Sequence, residues 1–443
     1  MAEFNPVLIT LPSLTPSLAL EILPRGLTIH RIIVQADGRT HDLVVGPETP
    51  SDHLLKKYTN TIVGRYANRV PVGTYELERH GRHSQFTPKA NESEGVSLHG
   101  GPEGFDARAW RRITASSAQL FSTAELAHLS EIEESSALFT LTSPDGDQGF
   151  PGILRVEVLY ALVGGTDAAG PEGDWTLGTV VILYRAKLED TDDGSVVGQK
   201  TGVGSVTPIN LTQHWGFNLD ASLGGDDSLS VKDHTLNAKA TYTLPLTPTA
   251  VPTGDINPTK GDPKHTHAGG KIGSGEVPEG GYDHFYILST PSSPPDYFAT
   301  RLPLEPTPGP DGSVLSITPG TDVLGAILRE VRNGGKKTGD NVLELASEKS
   351  GLALQFNTNQ SGVQFYSNNF ANGDSSRPRK KIHGGGVGKP GYDAFSAAFL
   401  EFHEPLSAFL YPKFQQRGDD TLLASGEVYN NWVTMTVKYH KPT

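Results

Sequence analysis

The sequence predicts a mostly β protein, and three observations carry that expectation. Apolar residues recur at alternate or near-alternate positions in short runs, such as Leu27, Ile29, Ile32 and Val34, or Val156, Val158, Tyr160 and Leu162. Fifty Gly and 32 Pro among 443 residues punctuate these runs with turns. Only one stretch reads as a helix, Asp322 to Arg332, followed by Gly334 as a C-terminal stop. A prior of roughly 150 residues per domain suggests about three domains, but large all-β units exceed it. No repeat of about 20–50 residues occurs.

Taken in order, residues 19–46 read as a hairpin with an Asp-Gly turn at 37–38. Thr61 to Val70 is apolar but interrupted by Arg65, Asn68 and Arg69; an Arg fork beside an amide suits sugar hydroxyls or a carboxylate, and a surface ion pair is the plainer reading. His99-Gly100-Gly101 is either a tight turn or a close backbone approach to a ligand. Ser143 to Gly152 is turn chemistry, and its two Asp lack the rest of a calcium loop. Strands follow over 153–187, separated by a Gly-rich insert at 164–173. Pro208 to Leu219 reads as one strand carrying His214 among bulky neighbours. An imidazole there is either a proton donor or a satisfied packing residue.

Further strands and turns are expected over 226–258, then a polar loop over 257–281 in which His265 and His267 are read as solvated. Asp283 stands at the mouth of a strand, as an acceptor for hydroxyls or an Asx turn. Residues 290–312 are Pro-rich and read as a surface excursion. A hairpin is expected over 342–356, and an aromatic strand near 361–370 carries the amide Gln364. Residues 372–391 read as a basic, Gly-rich, solvated loop. Glu401 follows an apolar run, where a carboxylate is a buried base or a paired structural group. The last strands run from Leu422 to Tyr439.

The net charge of −13 speaks against nucleic acid and against an anionic membrane surface. No apolar run reaches the roughly 18 residues of a membrane helix. The absence of cysteine removes disulfides, thiolate nucleophiles and Cys metal sites. The N-terminus lacks a signal-peptide pattern, and a glycan on the Asn210 sequon would block the His214 strand, so a cytoplasmic location is expected. Gly386 to Gly391 matches GxGxxG but follows no strand and contains Pro390, which speaks against nucleotide binding. His383-Gly384-Gly385-Gly386 has no GxSxG elbow to accompany it.

Seven stretches in one order resemble the aldose 1-epimerase (galactose mutarotase) family. They are Gly64 to Arg69, Leu98 to Gly101, Ser143 to Gly146, Pro208 to Leu219, Gly281 to His284, Gly362 to Tyr366, and Leu400-Glu401. The resemblance spans about 20–440 of the chain, with insertions near 164–173, 257–280, 290–312 and 372–391. It implies a large single-domain β-sandwich over 1–443 with its site in a cleft on one sheet. It further implies His214 as general acid, Glu401 as general base, and Asn68, Arg69, His99, Asp283 and Gln364 as residues that hold the sugar. No metal, nucleotide or other cofactor is implied, and the partner is a free aldose such as glucose or galactose. The family strand usually reads Asn-His-Ser-Tyr, where this chain has Gln213-His214-Trp215-Gly216, so the neighbourhood of the acid is expected to be reshaped. Phe285 likewise stands where the family often has Asn.

Two other readings compete. A non-catalytic carbohydrate-binding or regulatory protein on the same scaffold would tolerate loss of His214 or Glu401. A hexose 6-phosphate epimerase would need an arginine cluster, and the only dense basic group is Arg377, Arg379, Lys380 and Lys381.

Overall fold

The computed structural model describes residues 2–165, 174–189, 205–225, 229–289, 294–307, 314–318, 321–333, 341–377, 379–386, 388–415 and 420–441. It is dominated by strands. An 11-stranded antiparallel sheet contains the long strands Leu154–Val163, Asp174–Leu188 and Glu427–His440. A six-stranded sheet contains Trp215–Phe217, Ala398–His403, Gly362–Tyr366 and Asp283–Leu288 as neighbours in that order. A four-stranded sheet formed by the N-terminal 42 residues includes the expected hairpin, with Asp37 and Gly38 both at positive φ in its two-residue turn.

Side-chain alternation explains why these sheets stack. Val156, Val158 and Tyr160 point inward from the large sheet and meet Val363, Phe365, Leu400 and Phe402 from the six-stranded one, forming the main core. The intervening residues of the large sheet, Leu159, Ala161, Val181 and Leu183, face the opposite way. They are covered by two helices, Thr123–Glu131 and Val323–Arg332. The intervening residues of the six-stranded sheet, Gln364, Tyr366, Phe399 and Glu401, line a cleft instead.

Several expectations change. Only Val323–Arg332 was expected as a helix; its cap is Asp322, and Gly334 lies outside the described residues. Thr123–Glu131 is a second helix, closed by a capping box in which Ser122 accepts from Glu125 N–H and Glu125 accepts from Ser122 N–H. The single strand expected over 208–219 is three short pieces, Val206–Pro208, Thr212–Gln213 and Trp215–Phe217, each paired in a different sheet. The 257–281 loop contains the strand Ala268–Lys271, paired with Thr235–Ala238. His265 and His267 are not solvated: each lies 2.9 Å from the Tyr286 hydroxyl, and burial holds His267 down to about 4. The 290–312 excursion includes Arg301–Thr307, which extends the large sheet by pairing with Glu427–His440. Most of the 164–173 insert lies outside the described residues.

Arg65 is neither a sugar fork nor a surface ion pair. It is 2% exposed, and its guanidinium donates to the carbonyls of Ser143, Pro144 and Pro151. It thereby fixes the 143–152 turn to the strand that leads into the cleft. Nearby, Gly100 allows a close approach of backbone to backbone, not to a ligand. Its φ is +85° and a Cβ there would lie 2.1 Å from the Gly64 carbonyl oxygen. Gly100→Ala is therefore expected to destabilise the fold by about 1–3 kcal/mol and to displace His99. Urea unfolding together with sugar affinity checks this.

Candidate active site

The cleft is a cavity of about 350 Å³, and it is lined by His214, Glu401, Asn68, Arg69, His99, Asp283 and Gln364 together. Each is positioned by a different short element. Glu401 lies in the middle of Ala398–His403, directly opposite Gln364 on the adjacent strand. Asp283 begins the next strand, and Gln364 Nε2 donates to its Oδ1 at 2.7 Å. His214 falls at the break between two strand pieces, where its N–H donates to the Thr61 carbonyl and its carbonyl accepts from Asn60 N–H, both at 2.9 Å.

Asn68 and His99 both adopt positive φ, 62° and 53°. The pair interlocks: Asn68 N–H donates to His99 Nδ1 at 3.1 Å, and His99 N–H donates to the Asn68 carbonyl at 3.1 Å. Arg69 makes a bidentate pair with Glu92 at 2.7 and 2.8 Å, which presents its guanidinium at the cleft wall.

The centre of the arrangement is the contact between His214 Nε2 and Glu401 Oε1, 3.1 Å. Both groups are deeply enclosed. Burial holds His214 down to about 4, with the Lys56 ammonium adding to the effect. Burial, with the Asp283 carboxylate second, pushes Glu401 well above the usual carboxylate range, and Arg69 opposes this. Burial thus shifts the two groups toward a neutral imidazole and a protonated carboxyl. The pairing expected from the sequence, charged His and ionised Glu, holds the same single proton on the other partner.

Three buried polar atoms facing the cleft residues have no protein partner: Glu401 Oε2, His214 Nδ1 and Gln364 Oε1. Buried polar atoms are rarely left unpaired, and all three belong to residues that line the cavity. His99, His214 and Glu401 also bring ligand-type atoms within 4.8 Å of one another. The His99 tautomer argues against metal use. Its Nδ1 accepts from Asn68 N–H, so the ring proton sits on Nε2 and makes that nitrogen a donor into the cleft.

Trp215 does not reshape the acid's surroundings. It is fully buried on the opposite face, in the main core against Phe217 and Phe356. Gly216 has the larger influence, because a Cβ there would lie 2.5 Å from the Phe399 ring. Its absence lets Phe399 seat against the strand, and Phe399 meets the His214 ring edge-on at 5.1 Å. Phe285 lies in a separate apolar cluster with Leu244 and Leu406. Sequence reasoning missed Tyr58, whose ring packs at a tilt against His99 with centroids 4.6 Å apart, and Tyr366, Phe399 and Lys56 on the cleft walls. Alternation along 362–366 and 398–403 held the signal for Tyr366 and Phe399, since they share a face with Gln364 and Glu401.

The Aldose 1-epimerase family model matches residues 14–168 and 165–436. Among curated proteins, galactose mutarotase from Sus scrofa is 28% identical over 428 residues, covering 95% of this chain and 92% of that protein. Aldose 1-epimerase from Escherichia coli K12 is 28% identical over 346 residues, covering 77% and 72%. Among solved structures, an aldose epimerase homologue from C. elegans superposes with a TM-score of 0.64 at 20% identity, covering 98% of this chain and 99% of that one. Galactose 1-epimerase from Lactobacillus acidophilus superposes at 0.59 with 15% identity, covering 98% of each. These superpositions establish the β-rich mutarotase fold.

Proposed function

The chain belongs to the aldose 1-epimerase family, and on that premise we propose that His214 and Glu401 are the acid and base with which it interconverts the α and β anomers of free aldohexoses. The observation that carries the assignment is their 3.1 Å contact in a cleft also lined by Asn68, Arg69, His99, Asp283 and Gln364. Ring opening requires a base on the anomeric hydroxyl and an acid on the ring oxygen. Glu401, ionised, takes the hydroxyl proton as the C1–O bond gains double-bond character. The C1–O5 bond breaks, and His214, protonated, delivers its proton to O5. Rotation about C1–C2 followed by the reverse transfers gives the other anomer, and each group recovers its starting state.

The proton distribution that burial favours fits this cycle. After ring opening Glu401 holds the proton and His214 is neutral, which is the distribution that burial favours without substrate. The resting cleft is therefore matched to the open-chain aldehyde. A cyclic sugar is opened only once the proton has crossed the 3.1 Å contact to His214. Asn68, Arg69, His99, Asp283 and Gln364 hold the sugar hydroxyls, with Asp283 and Arg69 supplying opposite charges beside Glu401. Residues 1–443 act as one domain, a cytoplasmic isomerase of sugars that uses neither metal nor cofactor. Among the described residues no helix is long and apolar enough to cross a membrane. The Asn210 amide is fully buried and bonded to the backbone of Glu404, so that sequon takes no glycan in the folded chain.

The phosphate reading loses its basic cluster. Lys380 is fully buried on Asp42, and Arg379 is 8% exposed, leaving Arg377 alone of the four on the cleft wall.

Polarimetry on freshly dissolved α-D-glucose and α-D-galactose tests the proposal. Rotation should relax faster than the buffer blank with the wild-type chain. No acceleration with any aldose would reject it. The pH dependence is a second expected result. His214, with its pKa held down, stays neutral until the pH nears about 4. Below that the pair carries two protons and no base remains. At the alkaline end the shared proton leaves Glu401 and no acid remains. The expected kcat/KM profile is flat through neutrality, and an acid limb centred near 6.5 would contradict the buried, neutral imidazole.

A further inference from the structure

Besides the His214–Glu401 pair, the cavity is lined by two cations, Lys56 and Arg377. Lys56 follows the short turn Pro50–Leu55, and Arg377 comes from the 372–391 insert; both line the cavity. Lys56 is half-buried, and its ammonium has no hydrogen bond or ion pair among the described residues. Arg377 is 56% exposed, and its ion pair is a loose one to Asp374 at 3.8 Å. Asp374 is also engaged by Ser376 N–H, and Asp52 lines the same cavity. Lys57 is used elsewhere, donating to the Pro102 carbonyl at 2.9 Å.

Two like charges in a partly dry cleft repel one another. After burial, Arg377 is the charge that lowers the Lys56 pKa, to about 8. A fold bears that repulsion most readily where an anion is to be bound. Lys56 is also near enough to be felt at His214. In the reading above, His214 faces the ring oxygen. In an aldohexopyranose, C6 is carried by C5, the ring oxygen's neighbour. With O1 at Glu401 and the ring oxygen at His214, C6 is the other substituent beside that oxygen, and Lys56 lines the same cavity.

We infer that Lys56 and Arg377 form a subsite for a carboxylate at C6, so that this protein epimerises hexuronic acids as well as neutral aldohexoses. The inference rests on the proposed roles of His214 and Glu401. One ammonium and one guanidinium, with Asp52 and Asp374 close by, suit a monoanion better than a phosphate dianion. The test is kcat/KM for galacturonate and glucuronate against galactose and glucose, by NMR exchange, in wild type, Lys56→Met and Arg377→Gln.

Wild type should process the uronates at least as efficiently as the neutral sugars. Added salt should lower the uronate rate selectively. The uronate-to-neutral ratio should fall at least tenfold in Lys56→Met, and the ratio within each variant corrects for any loss of folded protein. Turnover of galactose without turnover of uronates would overturn this subsite alone, as would a ratio that Lys56→Met leaves unchanged. A preference for glucose 6-phosphate over the uronates would overturn the carboxylate assignment. Failure on every sugar would reject the epimerase reading as well.

Discussion

Glu401→Gln is expected to lower kcat by about 10²–10⁴-fold, the range for loss of one positioned proton-transfer group. The fold should survive. Glutamine has nearly the same shape, and burial favours the neutral form of Glu401, so an amide replaces a carboxyl with little electrostatic change. KM should move far less than kcat, because in the proposed reading the sugar is held by Arg69, Asp283 and Gln364, which line the same cavity. His214→Asn should behave in the same way, with an intact fold because its backbone bonds to Thr61 and Asn60 remain. NMR exchange between anomers measures turnover, and a melting curve on the same sample reports folding. Full turnover in either variant would end the acid/base assignment. A binding protein without catalysis would show equal, background rates for wild type and both variants.

The parts of the molecule legible in the sequence are those set by neighbours along the chain. The strands at 156–162 and 342–356 were legible because residues two apart share a face: Val156, Val158, Tyr160 and Leu162, like Leu343, Leu345, Leu352, Leu354 and Phe356, enter the main core. The Asp37-Gly38 turn was legible for a similar reason, since both positions need positive φ. The seven candidate residues were reached through motifs in order, and they do meet in one cavity. The Pro208 to Leu219 stretch was misread as one strand because its residues are nearly all buried, so alternation no longer separates inside from outside. Its breaks come from partners far away in the chain: Asn60 for His214, Leu400 for Trp215 and Leu422 for Pro208. The Ser122–Glu125 capping box was a local signal passed over. The state of the His214–Glu401 proton was not legible at all, because it depends on burial that only the folded cleft supplies.

Lys380→Met is expected to cost about 3–5 kcal/mol, the range for breaking a buried ion pair. The solvated loop expected over 372–391 is tied down by this residue. Lys380 Nζ lies 2.7 Å from Asp42 Oδ2, both side chains are fully buried, and it also donates to the His30 and Val44 carbonyls at 2.6 and 2.8 Å. His383, two residues beyond Lys381, contacts the Asp42 carbonyl and the Tyr392 hydroxyl at 2.8 and 2.7 Å. Methionine fills the space of the lysine stem but leaves the buried carboxylate with Arg31 at 3.4 Å and the Ile32 and Val44 N–H groups at 3.2 and 3.4 Å, and it takes a donor from two carbonyls. Because the same insert carries Asn372, Asp374 and Arg377 to the cleft, KM should rise together with the loss of stability. Asp42→Asn in the Lys380→Met background removes the stranded charge and should recover part of the unfolding free energy in urea. The cycle of single and double variants separates the pair's coupling from the loss of the two carbonyl bonds. A Lys380→Met chain as stable as wild type, with an unchanged KM, would return the insert to the status of a passive loop.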